Sequence, residues 1–159
     1  MSDDDKAKGL EGERAILRQI GVQLFGLLPQ GFDRIVMKTS MAGGVMAGET
    51  VLLRPDGSEG YALPNETTFE TARDLRKMMH KAGAGTWFTA VFTVTDTGKF
   101  SARYDYDHEP EIGHFAAEAY RADFEDFPRT AENTPEWLAA ILAGAPTRHD
   151  LVGRDEDPV

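Results

Sequence analysis

Residues Arg103-Tyr104-Asp105-Tyr106-Asp107-His108-Glu109-Pro110-Glu111, followed by His114, place four carboxylates and two imidazoles within twelve positions. Oxygen ligands of this kind suit magnesium, calcium or manganese, and paired carboxylates with histidine can also serve as general acid and base. The spacing is not that of an EF-hand, and the helical His-Glu-x-x-His arrangement is absent. Strand alternation gives the same residues a plainer role. In an extended segment Asp105 and Asp107 share a face with Ser101 and Arg103, while Tyr104 and Tyr106 share the other with Phe100 and Ala102. Such a strand is wet on one side and packed on the other. A third possibility is a charged recognition face.

Other motifs offer less chemistry. The Gly43-Gly44 loop has neither the lysine and hydroxyl of a P-loop nor Gly-x-Gly-x-x-Gly spacing, so a flexible hairpin loop able to enter a partner's cleft is expected. No Gly-x-Ser-x-Gly elbow occurs. His80 falls in the last turns of a helix beside Lys77 and Lys81, where a cation complements the dipole. His149 falls in a polar tail. No nucleophile, base and oxyanion site assemble along the chain, so neither a catalytic residue nor a cofactor is assigned.

The elements that position these residues follow from periodicity. Residues 11–28 carry Ile16, Leu17, Ile20, Leu24, Leu27 and Leu28 at helical spacing, and Pro29 stops the run. Residues 34–41 alternate as a half-buried strand. Thr50 to Arg54 and a segment around Tyr61 to Leu63 flank the Pro55-Asp56-Gly57 turn. Thr67-Thr68-Phe69-Glu70 has the form of a capping box, and Phe69, Ala72, Leu75, Met79 and Ala82 then line one helical face before Gly83 and Gly85. Trp87 to Val94 and Lys99 to Asp107 read as a hairpin across Asp96-Thr97-Gly98, with Trp87, Phe88 and Phe92 in the core. Helix is expected around Phe115 to Asp126. A last helix opens at Thr134-Pro135-Glu136, with threonine capping, and closes at Gly144. The fold class is α+β: a mainly antiparallel sheet of about five strands, with an N-terminal helix, a central helix and C-terminal helices packed on it. One domain over residues 10–143 lies between flexible tails at 1–9 and 144–159.

Composition narrows the function. The 159 residues are 41% hydrophobic and 28% charged, which describes a soluble globular chain. Asp and Glu number 27 against 17 Lys and Arg, a formal net charge of −10. That balance opposes binding to phosphate backbones and to anionic membranes. With no cysteine, disulfides, thiolate zinc sites and cysteine nucleophiles are excluded. No apolar run approaches the roughly 18 residues of a membrane span. The opening Met1-Ser2-Asp3-Asp4-Asp5-Lys6 lacks a signal peptide's apolar core, so a cytoplasmic location is expected. Ten acidic and three basic side chains between Arg103 and Trp137 supply −7 of the net charge. Aromatics lie within and beside that block, a composition common at interface hot spots.

Taken in order, Trp87-Phe88-Thr89-Ala90-Val91-Phe92, Gly98-Lys99-Phe100, Tyr104-Asp105-Tyr106-Asp107, Phe127-Pro128-Arg129 and Thr134-Pro135-Glu136-Trp137-Leu138 resemble the YezG-like immunity proteins. The resemblance covers roughly residues 14–142, including the helix ending Leu27-Leu28-Pro29 before Phe32. It implies a small cytosolic antitoxin, not an enzyme. Such a protein binds a cognate secreted toxin, a nuclease or an NAD-degrading enzyme, and occludes its active site. The glycine-rich Ala42 to Gly48 loop and the acidic tail depart from the family pattern. Clefts for anionic substrates tend to be basic, so Asp105, Tyr106, Asp107, Glu109 and Glu111, with Gly43 and Gly44, are the expected toxin-binding residues. Two alternatives stand beside this. One is a metal-dependent enzyme built on Asp105, Asp107, His108 and Glu109 with His114. The other is an acidic adaptor for a basic partner.

Overall fold

The computed structural model describes residues 3–62 and 65–155. The element order is α1 (Asp3–Gly26), β1 (Arg34–Ala42), β2 (Val45–Leu53), β3 (Glu59–Tyr61), α2 (Glu66–Met78), β4 (Thr89–Thr95), β5 (Phe100–Asp105), α3 (Ala117–Asp126), a 3₁₀ turn (Ala131–Asn133), α4 (Glu136–Leu142) and α5 (Arg148–Asp155). The five strands form one antiparallel sheet in the order β3-β2-β1-β4-β5, with the N-terminal helix packed on it. The fold is α+β, as its hairpin-length connections imply.

Local chemistry explains most of these boundaries. Along β1, Ile35, Met37, Thr39 and Met41 are buried in the expected alternation, and Ser40 and Ala42 are buried as well. The Ser40 hydroxyl lies 2.7 Å from that of Thr89, which satisfies the extra buried polar group. At the β1–β2 connection Gly43 and Gly44 have φ of 57° and 88°. Positive φ at both central residues makes this a tight two-residue hairpin turn rather than a flexible loop. Strand β2 accordingly starts at Val45, well before Thr50. Near Pro55, the Asp56 carboxylate accepts from the Ser58 amide at 2.8 Å, and β2 then pairs with β3 in the register Leu52 to Gly60. Strand β3 closes at Tyr61, and the expected continuation to Leu63 lies outside the described residues.

Several boundaries differ from expectation. Helix α2 is capped by Asn65, whose side chain accepts from the Thr67 amide, so Thr67 is inside the helix rather than its cap. It ends at Met78, short of Ala82, because residues beyond it turn through Lys81 and Gly85. Strand β4 starts at Thr89, although Trp87 and Phe88 are buried as predicted, together with Phe92. Thr134 does not cap α4: its hydroxyl donates to the Thr130 carbonyl at 2.8 Å, and Pro135 is the cap residue. Helix α1 begins at Asp3, and α5 occupies part of the expected C-terminal tail. Residues 1, 2 and 156–159 of the expected tails are outside the described residues.

The chain divides into two compact units. The first comprises residues 1–38, 49–79 and 91–103; the second comprises 39–48, 80–90 and 104–159. In the first, α1 packs on α2, and Gly21 of α1 lies against the Phe100 ring. Ile20, Leu24, Ile35, Leu75 and Phe92 are all fully buried there. The second is organised around aromatic rings. Phe88 meets Tyr120 and Trp137 edge-on at 6.0 and 5.2 Å, and Leu138 and Ile141 complete the cluster.

Candidate functional site

Strand β5 stops at Asp105 because that side chain captures the following backbone. Its Oδ1 accepts from the amides of Asp107 and His108 at 2.9 and 3.0 Å, and His108 Nδ1 sits 3.0 Å from the carboxylate. This is an Asx turn, in which a short carboxylate replaces the strand partner. Desolvation by burial raises the Asp105 pKa, but the Asp107 amide and the His108 ring and amide outweigh it and hold the carboxyl below its ordinary value. Asp107 therefore lies past the strand, and it does not share a β face with Asp105.

Beyond the turn the predicted residues separate by role. The Trp137 indole Nε1 donates to the Asp107 carbonyl at 2.7 Å, leaving the exposed Asp107 carboxylate outward. Glu109 Oε2 accepts from the Arg148 amide at 2.8 Å, so this carboxylate fastens the start of α5 and complements its dipole. A reciprocal pair reinforces that end: the Thr147 amide donates to Asp150, and the Asp150 amide donates to the Thr147 hydroxyl. Glu111 is exposed. Gly43 is packed beneath α3. Its amide donates to Asp123 at 3.1 Å, and a Cβ there would collide with the Ala119 carbonyl oxygen. Gly44 is exposed and has no neighbour in the way of a Cβ.

Tyr106 and Asp107 meet in an open cleft of about 500 Å³ that the sequence did not reveal. Lys81, Glu132 and Pro135 also line it, and the Lys81 ammonium lies 5.8 Å from the centre of the Tyr106 ring. Arg129 forms part of its wall but is 8% exposed. Its guanidinium donates to the Thr86 carbonyl at 2.9 Å and the Asn133 carbonyl at 3.2 Å, and it stands 4.9 Å from the Phe88 ring centre. Gly85 makes room for this side chain. The bridge between 83–84 and Arg129 joins these segments across long sequence separation, so no local signal announces the cleft. Asp105, Glu109, Glu111, Gly43 and Gly44 are not among its walls.

The histidines also settle differently from expectation. His80 lies beyond α2 rather than in its last turn, with its ring 5.0 Å from Phe127. Among the described residues, no three of His, Cys, Asp and Glu converge as a metal-ligand group. The carboxylates of Asp105 and Glu109 are engaged in separate structural contacts. Among those residues, too, no helix is long and apolar enough to cross a membrane.

No protein-family model matches this sequence, and no curated protein matches it. The chemistry of the second unit itself is therefore the guide to function. Between residues 104 and 137 seven carboxylates are exposed: Asp107, Glu111, Glu118, Glu125, Asp126, Glu132 and Glu136. Arg121 is the one exposed lysine or arginine in that span, because Arg129 is turned inward.

Proposed function

We propose that this chain is an immunity protein, an antitoxin that binds a cognate secreted bacterial toxin domain and blocks its active site. The toxin is a nuclease or an NAD-degrading enzyme, and the chain acts in the cytoplasm of the producing cell without catalysis of its own. The observation that carries this reading is the lopsided charge of the second unit, seven exposed carboxylates against one exposed cation over residues 104–137. The resemblance of the ordered aromatic motifs to YezG-like proteins points the same way.

Enzymes that act on nucleic acids or dinucleotides hold anionic substrates, and an acidic surface complements the cleft that does so. Charge complementarity mainly accelerates encounter and rejects wrong partners. At the rim of the cleft beside Tyr106, the exposed carboxylates of Asp107 and Glu132 add acceptors for a basic toxin side chain. Asp105 and Glu109 contribute by holding the local backbone and α5, whereas Asp107 and Glu132 face outward.

The test uses the C-terminal domain of the protein encoded by the adjacent gene, taken as the toxin that this reading requires. Replacing Asp107 and Glu132 by lysine should slow association about tenfold and flatten its dependence on salt. Unchanged rates at all salt concentrations would remove this face from the interface.

A further inference from the structure

We propose that a second copy of this chain docks on α1, its own α1 running antiparallel, to form a two-fold homodimer. One flank of α1 borders an open groove of about 350 Å³ walled by Leu17, Gly21, Val22, Phe25, Val94 and Phe100. Arg18 is the one charged side chain among its walls. Val22 and Phe25 stand at its rim 65% and 48% exposed. Leu10, also exposed, continues the same stripe toward the start of the helix. The core face of α1 is a different one, carrying the fully buried Ile20 and Leu24. A contiguous apolar flank of this kind marks an interaction surface.

Shape and charge both select a second copy as the occupant. Gly21 leaves a notch between Leu17 and Phe25, where two α1 helices can cross closely. Crossing antiparallel at Gly21 sets Phe25 of each copy against Leu17 of the partner subunit. Arg14 and Arg18 are exposed along this flank, whereas the last turn of α1 carries no basic residue. A cation beside a helix C-terminus complements its dipole. The antiparallel crossing lays the arginines of each copy beside the last turn of the other, so the pattern is self-complementary. A parallel pair would set arginine against arginine. The contact is the same patch on both copies, so assembly closes at two. All of these residues belong to the first unit, and none takes part in the proposed toxin contact.

Sedimentation velocity of the full chain at about 50 μM should give a species of twice the 17.5 kDa chain mass. Val22→Asp puts a carboxylate from each copy into the contact and should weaken dimerisation about a hundredfold. Arg18→Glu should weaken it about tenfold, because the change occurs twice per dimer. Leu151→Asp, the same kind of change at an exposed leucine of α5, should leave it unaltered. The chain has no cysteine, so introduced thiols read the helix direction cleanly. Oxidation should cross-link Val22→Cys but not Leu10→Cys, whose copies lie roughly 35 Å apart in the antiparallel pair. A monomeric native chain overturns the proposal. So does a dimer that Val22→Asp leaves intact, a Val22→Cys variant that does not cross-link, or equal cross-linking through Leu10→Cys.

Discussion

Over residues 9–62 and 65–151, where side chains are described, the first unit exposes eight carboxylates and eight lysines or arginines, whereas the second exposes eight carboxylates and only Lys81, Arg121 and Arg148 as cations. The number of exposed acids is the same; the difference lies in the number of cations rather than in their burial, because each unit draws one arginine inside, Arg76 in the first and Arg129 in the second. In the first unit Arg14, Arg18, Arg73 and Lys77 stand on helix surfaces among Glu11, Glu66, Glu70 and Asp74. In the second, the guanidinium of Arg129 is drawn inside by the Thr86 and Asn133 carbonyls. Mixed charges largely cancel beyond a screening length of about 8 Å at physiological salt, and an unbalanced face does not. Net charge of the chain alone thus understates how acidic one surface is.

Two glycine turns sharpen the contrast in packing. Gly43→Ala in the second unit should cost about 3 kcal/mol, combining left-handed strain with the collision at Ala119. Gly57→Ala in the first has φ of 86° but open space around it, and should cost about 1 kcal/mol. Urea unfolding of both variants measures the difference; equal losses would mean that α3 does not press on the Gly43 turn.

A charge-reversal pair tests the surface comparison itself. Glu70→Lys with Asp74→Lys changes the first unit's charge by the same amount as Asp107→Lys with Glu132→Lys changes the second's. The former should leave toxin association within about twofold, against about tenfold for the latter. Equal slowing would show that only overall charge matters.

Ionisation gives smaller effects. Burial pushes the Tyr120 hydroxyl above its ordinary value, and the Glu109 charge adds to this. The unfolded chain loses that proton near pH 10 while the folded chain keeps it, so the contribution is intact below pH 10 and is lost as pH climbs toward the raised folded value. Tyr120→Phe should therefore flatten the alkaline fall in stability, as read by unfolding at pH 9 to 11. Asp105 and Asp56 both have depressed values, from the Asx-turn contacts described above and from the Ser58 hydroxyl and amide respectively. Their contributions are present above the unfolded value of 3.8 and fade as pH falls below it. Asp105→Asn removes that contribution and should shift acid unfolding slightly upward in pH, with Asp56→Asn smaller because that side chain is fully exposed. Acid titration by circular dichroism reads both.

What was legible in the sequence was local. Alternation over residues 34–41 revealed β1, Asp96-Thr97-Gly98 revealed the β4–β5 turn, and aromatic clustering around residue 88 revealed core. Caps shifted by one or two residues because Asn65 competes with Thr67, and Pro135 follows Thr134, within one turn. The Asx turn at Asp105 was hidden because the same residues suit a continuing strand. Glu109 looked like a surface acid until α5 supplied a backbone amide 39 residues away. The cleft was hidden for the same reason, since Lys81, Asp107 and Glu132 meet only after the chain returns through Arg129.

The most direct measurement of the central claim is survival. The C-terminal domain of the protein encoded by the neighbouring gene would be expressed in a sensitive bacterium alone, with this chain, and with the Asp107→Lys, Glu132→Lys variant. Protection by the native chain through a stable complex, weakened in the variant, is the predicted result. A toxin that kills equally in the presence of the native chain, or a neighbouring domain that is not toxic, would contradict the immunity reading.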